Sequence, residues 1–160
     1  MSYPIQFIIP GRPVPKPRGR QLLIHGPKTP PGVVAWREFK ARATRAAIMA
    51  GWKPDDPESL IVLVAAFFEP AKSLSKSARA ALEGQPHRVK PDSNHVLNAV
   101  FDALFPRDER VSSGLCTKEW CRDGGALGER VVVWLGDVVP EDIGLWFAGK
   151  QSLTSEDGKA

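Results

Sequence analysis

Three carboxylates bracket one amphipathic stretch of this 160-residue chain: Asp92 before it, Asp102 near its end and Asp108 just beyond. Acids so placed suit a hard divalent cation such as Mg²⁺, which takes a few carboxylate oxygens and leaves its other positions to water and a substrate phosphate. Not all three can share one ion. Asp92 and Asp102 are ten residues apart, roughly 15 Å along a helix that rises about 1.5 Å per residue. Asp108 lies past the helix, in a segment free to fold back toward Asp92. The competing account makes Asp92 only a helix cap and Asp108 only a turn residue.

Positive charge is the second chemical signal. Residues 1–54 carry ten Lys and Arg against Glu38 alone, a net +9, which leaves −5 for the remainder of a chain of net charge +4. This asymmetry suits a polyanionic partner, with nucleic acid the leading candidate; a solvated basic helix face with a solubilising loop accounts for the charge equally well. Six prolines between Arg12 and Pro31 deny that segment the N–H groups a helix or sheet interior would use. It therefore reads as a loop, with Lys16, Arg18 and Arg20 standing out from the body, semi-extended and suited to phosphates. An ordinary flexible surface loop is the alternative.

The elements that must position these groups follow from periodicity. Tyr3–Ile9 reads as a strand and Ala35–Met49 as a helix stopped by Gly51 and Pro54. Ser59–Phe68 is too continuously apolar to be half-exposed, so it should be a central strand covered on both faces. A short helix is expected over Ser75–Leu82. The next helix opens at Asp92 as N-cap, with Val96, Leu97, Val100, Phe101 and Leu104 as its apolar stripe and Asn94, Asn98 and Asp102 as a polar line beside it. Strands over Val111–Lys118 and Arg130–Leu135 close the domain, separated by a Gly124-Gly125 turn region. The expected class is α/β (α+β): one domain over residues 1–149 with a mixed sheet flanked by two main helices, followed by a polar, frayed tail at 150–160.

Size and composition agree with that class. A 17.5 kDa chain, 42% apolar with five tryptophans, can fill one core but not two. The longest apolar run, Leu60–Phe68, is far below the roughly 18 residues a membrane span requires. The opening residues lack a secretory layout, so a soluble, cytoplasmic protein with no membrane partner is expected. Cys116 and Cys121, even with His87 or His95, do not complete a zinc set and read as buried or idle thiols. His25 is placed to touch DNA and His87 to be an exposed neighbour of Arg88. Trp36, Trp52, Trp134 and Trp146 read as core, and Trp120 as the exposed aromatic.

Residues 90–104, Lys-Pro-Asp-Ser-Asn-His-Val-Leu-Asn-Ala-Val-Phe-Asp-Ala-Leu, resemble the signature of RusA-type Holliday junction resolvases, which usually reads Lys-Pro-Asp-x-Asp-Asn-x-x-Lys-Ala-x-x-Asp-Ala-Leu. The stretch from Gly11 to Arg20 resembles the family's Gly-x-Pro-x-x-Lys-x-Arg-x-Arg loop, and Asp108-Glu109-Arg110-Val111 its Asp-x-Gln-Val. Lys118 falls where members tend to keep a lysine on the following strand. The likeness covers roughly residues 3–136, and the spacing from Asp102 to Asp108 is short for the family.

The resemblance implies a homodimeric, Mg²⁺-dependent endonuclease of recombination and repair, often phage or prophage encoded. Such enzymes bind four-way DNA junctions and nick two strands symmetrically; Mn²⁺ is the natural substitute ion and no small-molecule cofactor is needed. It assigns Asp92, Asn94 and Asp108 to the metal, Asn98 and Lys118 to the catalytic surroundings, and Lys16, Arg18 and Arg20 to DNA. Two positions depart from the pattern. Asn94 stands where the family has a second catalytic aspartate, and Asn98 where it has a lysine. An amide oxygen can ligate a metal but brings no charge, so attenuated cutting is expected. A non-catalytic junction-binding protein on the same scaffold is the rival, and a basic RNA-binding domain a third reading.

Overall fold

A computed structural model describes residues 4–55, 60–106, 110–122 and 127–149. Four strands, β1 (Ile5–Pro10), β2 (Leu60–Phe68), β3 (Val111–Trp120) and β4 (Arg130–Gly136), form one sheet in the order β1-β4-β2-β3. β4 runs antiparallel to both neighbours, pairing Phe7 with Val133 on one side and Val64 with Val133 on the other. β2 and β3 are parallel, with Leu63 opposite Leu115, so the sheet is mixed and the class is α+β.

The two central strands are the continuous apolar runs of the sequence. Every residue of β4, and all of β2 except Ile61, is buried, as a strand covered on both faces requires. The side-chain alternation of a strand then sorts two cores. Leu60, Val62, Val64, Ala66 and Phe68 of β2 join Val131, Val133 and Leu135 of β4 and Phe7 and Ile9 of β1 in the main core. Ala65, Phe67 and Val132 face the other way, with Cys121, Trp146 and Phe147. Each fully buried Leu, Val or Phe here contributes about 1.5–3 kcal/mol relative to exposure.

Helices α1 (Pro31–Met49) and α3 (Ser93–Leu104) cover the main core and pack on each other. α1 supplies Val33, Trp36, Phe39, Ala43 and Ala47, and α3 supplies Val96, Ala99, Val100, Ala103 and Leu104. The short α2 (Lys76–Leu82) is capped by Ser75, whose hydroxyl accepts from the Ala78 N–H at 3.2 Å. A further short helix, α4 (Ile143–Gly149), lies on the opposite face and is absent from the sequence reading. Its Trp146 is partly buried and donates its indole N–H to Gln6 at 3.0 Å.

Several other features differ from expectation. α1 starts at Pro31 rather than Ala35, because a proline at the first helical position gives up an N–H that has no intrahelical partner anyway. Two 3₁₀ turns, Gly19–Leu23 and Gly26–Lys28, interrupt the stretch read as an irregular loop. β3 continues to Trp120, two residues past the expected end. The Gly124-Gly125 turn and the tail at 150–160 lie outside the described residues.

Gly114 sets how closely α3 approaches the sheet. A Cβ built there would fall 2.6 Å from Phe101 Cζ and 3.1 Å from Leu97 Cδ2, a separation that side chains do not tolerate. Gly114→Val should therefore cost about 1–3 kcal/mol by overpacking. Urea unfolding should show a lowered midpoint for the variant, and an unchanged midpoint would mean that α3 is free to shift outward.

Candidate nucleic-acid interface

Helix α3 carries most of the candidate residues, and its start is held by the segment before it. The Gly84 N–H donates to Trp120 O, Trp120 N–H to Gln85 O and His87 N–H to Lys118 O, each at 3.0 Å. This stitches residues 84–87 along β3. Lys118 then reaches across and donates from Nζ to Val89 O at 2.9 Å and Pro91 O at 2.6 Å, with His87 Nδ1 at 3.5 Å. An ammonium has three hydrogens, and these three acceptors account for them. The Lys118 placed by resemblance beside a phosphate is, in this geometry, the clamp that fixes the turn into α3. The Lys90–Pro91 peptide in that turn is cis.

Asp92 takes the N-cap position, as expected, but its carboxylate makes no cap hydrogen bond. The side chain is 66% exposed, with Oδ2 3.7 Å from His95 Nδ1 one turn on. The carboxylate is left open to solvent at the positive end of a helix dipole, where a negative group is favoured. Asn94 and Asn98 are exposed and Asp102 is half-buried. Asp102 has a different partner, Lys16 Nζ, at 3.4 Å. The two helix acids thus serve separate contacts. Asp108 lies outside the described residues; its described flanks, Pro106 and Arg110, follow the end of α3 opposite Asp92. Among the described residues no three of His, Cys, Asp and Glu gather as a metal-binding group.

The basic loop is tied down more firmly than its prolines suggest. Arg42 Nε donates to Pro10 O at 2.9 Å, and Arg37 Nη2 donates to Leu22 O at 3.1 Å and Ile24 O at 3.0 Å. Gly11 turns the chain with φ +88°, a left-handed conformation, against the Arg42 guanidinium. Pro13 is buried, and Val14 and Leu22 pack on the main core. Of the three expected DNA-contacting cations, Arg18 and Arg20 are exposed, and Lys16 folds onto Asp102. His25 is exposed in the same loop.

Between loop and helix lies a cleft of about 660 Å³, with Lys16 and Arg18 on one wall and His95, Asn98 and Asp102 on the other. A second recess of about 370 Å³ shares Asn98 and Asp102 and runs to Phe105 and Pro106. The loop cations and the polar line of α3, separate motifs in sequence, are therefore two walls of one site. His95 belongs to the cleft wall and also touches Asp92.

Two aromatic residues are placed differently from the sequence reading. His87 is buried, only 3% exposed, between Phe68 at 4.1 Å and Trp120 at 4.2 Å between ring centroids. Trp120 is partly buried against the core rather than presented to solvent. The alternation of β2 and β3 brings Phe68 and Trp120 opposite each other, and the gap between the two strands' ends and the 84–87 segment takes a flat ring. No local sequence signal marks His87 for burial. Its Nε2 is buried and finds no partner among the described residues. Because Lys118 can only donate, Nδ1 is the acceptor and Nε2 carries the proton of the neutral ring.

Cys116 and Cys121 are both free thiols, the first half-buried and the second buried. Burial pushes Cys116 up to about 12 against the opposing pull of Lys118. Burial likewise raises Cys121 to about 11, with Arg130 opposing. Trp36, Trp52 and Trp134 are buried, as expected.

No protein-family model matches the chain, and no curated protein does.

Burial, then the charges of Lys118 and Arg12, lower the His87 pKa below its ordinary 6.5. The unfolded chain thus binds a proton that the folded chain resists, so this ring's contribution to stability is present above pH 6.5 and is lost as pH falls through the lowered folded value. Urea midpoints should drop between pH 7.5 and pH 5 more steeply for the natural chain than for His87→Phe. Parallel slopes would show that the ring is not held neutral.

Proposed function

We propose that this protein binds branched DNA and has the scaffold of a RusA-type junction endonuclease, with metal-assisted cutting attenuated by Asn94. The observation that carries the reading is the shared cleft. The loop cations Lys16 and Arg18 face Asn98 and Asp102 of α3, and the open carboxylate of Asp92 lies next to the cleft residue His95. Phosphates of a strand along the loop would meet Lys16, Arg18 and Arg20, and would pass the exposed Asp92 carboxylate, whose neighbour at 3.7 Å is His95.

The donors near Asp92 suit a hard divalent ion weakly. Asp92 offers an exposed carboxylate beside His95 and Asn94 an exposed neutral amide oxygen, both at the start of α3; the third ligand of the resemblance is Asp108. Mg²⁺ or Mn²⁺ bound there would activate a water and offset charge on the scissile phosphate. The protein's own contribution is to fix Asp92 through the Lys118 clamp and to steer the phosphate by the loop cations. A homodimer would present two such clefts to a junction of two-fold symmetry. The neutral amide of Asn94, which brings no charge to a cation, favours the second reading, a junction-binding protein that does not cut.

Labelled four-way junction with Mg²⁺ or Mn²⁺ separates the two. We expect tight binding that linear duplex does not compete away, with little nicking by the natural chain and clear nicking by Asn94→Asp. Tight binding with no nicking by either protein would leave the non-cutting reading. Equal competition by duplex would remove junction selectivity altogether.

The loop cations can be counted independently. Removing one cation that neutralises a phosphate should lower the steepness of log K against log salt by about 0.9. Replacing Lys16, Arg18 and Arg20 together by alanine should therefore reduce that slope by about 2 to 3, measured by fluorescence anisotropy across a salt series.

A further inference from the structure

We propose that the cleft between the proline-rich loop and α3 is a subsite for one unstacked nucleotide whose base carries an exocyclic amino group. This deepens the reading of the same cleft as a DNA site and rests on it for the direction of the strand, not for the chemistry of the pocket. At about 660 Å³ the cleft lies within the range of pockets that enclose small ligands, about 300–1,000 Å³. A duplex cannot enter such a space; a single nucleotide turned out of its stack can.

The walls divide by chemistry as a nucleotide does. Pro15, Pro17 and Leu22 on the loop side give a flat base one apolar face to lie against, and the buried Ala99 closes the floor between Asn98 and Asp102. Asn98 and Asp102, one helical turn apart, offer an amide and a carboxylate to the base edge. Lys16 and Arg18 stand beside them as phosphate partners.

The present partner of Asp102 explains how the site would choose a base. Lys16 Nζ is 3.4 Å from Asp102 Oδ1, and the two side chains are 45% and 39% exposed, so solvent screens the pair and it is readily exchanged. A phosphate arriving at Lys16 draws the ammonium away and leaves Asp102 as a carboxylate that can only accept. Adenine, cytosine and guanine can each donate to it from an exocyclic amine. Thymine has no exocyclic amine and offers a carboxylate only its ring N3–H, flanked by two carbonyl oxygens that face it unfavourably.

The test uses the full chain and fluorescein-labelled twelve-nucleotide single strands, oligo(dA) and oligo(dT), read by fluorescence anisotropy. The natural chain should prefer oligo(dA) by on the order of tenfold. Asp102→Asn, a nearly isosteric change at a half-buried position whose amide can also donate, should bring that ratio close to one. Asn98→Phe should fill the cleft and weaken both strands. Equal affinity of the natural chain for the two strands, a preference that persists in Asp102→Asn, or no single-strand binding would each overturn the subsite. Four-way-junction binding in competition with linear duplex is scored separately. Junction selectivity without base preference would sink the subsite alone, and base preference without junction selectivity would sink the junction reading alone.

Discussion

The Lys118 ammonium is the contact on which the site's geometry turns. It satisfies two backbone carbonyls, Val89 O and Pro91 O, in the residues that lead into α3. Val89 is exposed, but the Pro91 bond is part-buried, and a buried carbonyl without a donor costs about 1–3 kcal/mol, so the clamp contributes both stability and direction. It fixes where α3 starts on the sheet, while the missing side chain at Gly114 fixes how close its middle lies. Held at both places, the helix cannot roll. Its apolar stripe faces the sheet and α1, and its polar line must then face the loop.

His87 is the cost of building that clamp from the core outward. Its ring fills the space between Phe68 and Trp120 and offers Nδ1 to Lys118, but Nε2 is left without a partner among the described residues. A phenyl ring would pack as well and leave no polar atom stranded, yet it would offer nothing to the ammonium. Stacking with two aromatic neighbours and the third acceptor for Lys118 offset the orphaned donor. A neutral imidazole is the state that fits, since a cation there would face both Lys118 and Arg12.

What the sequence makes legible here follows from range. The central strands were readable because continuous burial needs continuous apolar residues, and α3 because its stripe repeats at helical spacing; both depend on neighbours in the chain. The polar line of Asn94, Asn98 and Asp102 was equally local. The Lys16–Asp102 pair, spanning 86 positions, was not, because a long-range contact leaves no periodic trace. Nor was the burial of His87: between Pro86 and Arg88 it looks like any loop histidine, and only the register of β2 against β3 brings Phe68 and Trp120 to it. The contacts of Lys118 with Val89 and Pro91 were hidden for the same reason. Resemblance could say that a lysine belongs on that strand, but not that its hydrogens are taken by carbonyls.

The anchoring of the loop bears on how charge works at this surface. An untethered chain of cations would attract any polyanion and lose conformational entropy on every encounter, up to about 2 kcal/mol per immobilised long side chain. Here Arg37 and Arg42, themselves cations of the basic segment, are turned inward onto Leu22, Ile24 and Pro10 carbonyls. Part of the +9 charge of residues 1–54 therefore serves to hold the rest in place. Arg18 and Arg20 stay outward on a backbone already ordered by prolines and by these bonds. Lys16 is kept near its working position by Asp102, a partner weak enough to be displaced by phosphate. A guanidinium bonded to neutral carbonyls keeps its charge, so Arg37 and Arg42 still add to the positive field of this surface, while the salt dependence of binding reports the cations that reach a phosphate.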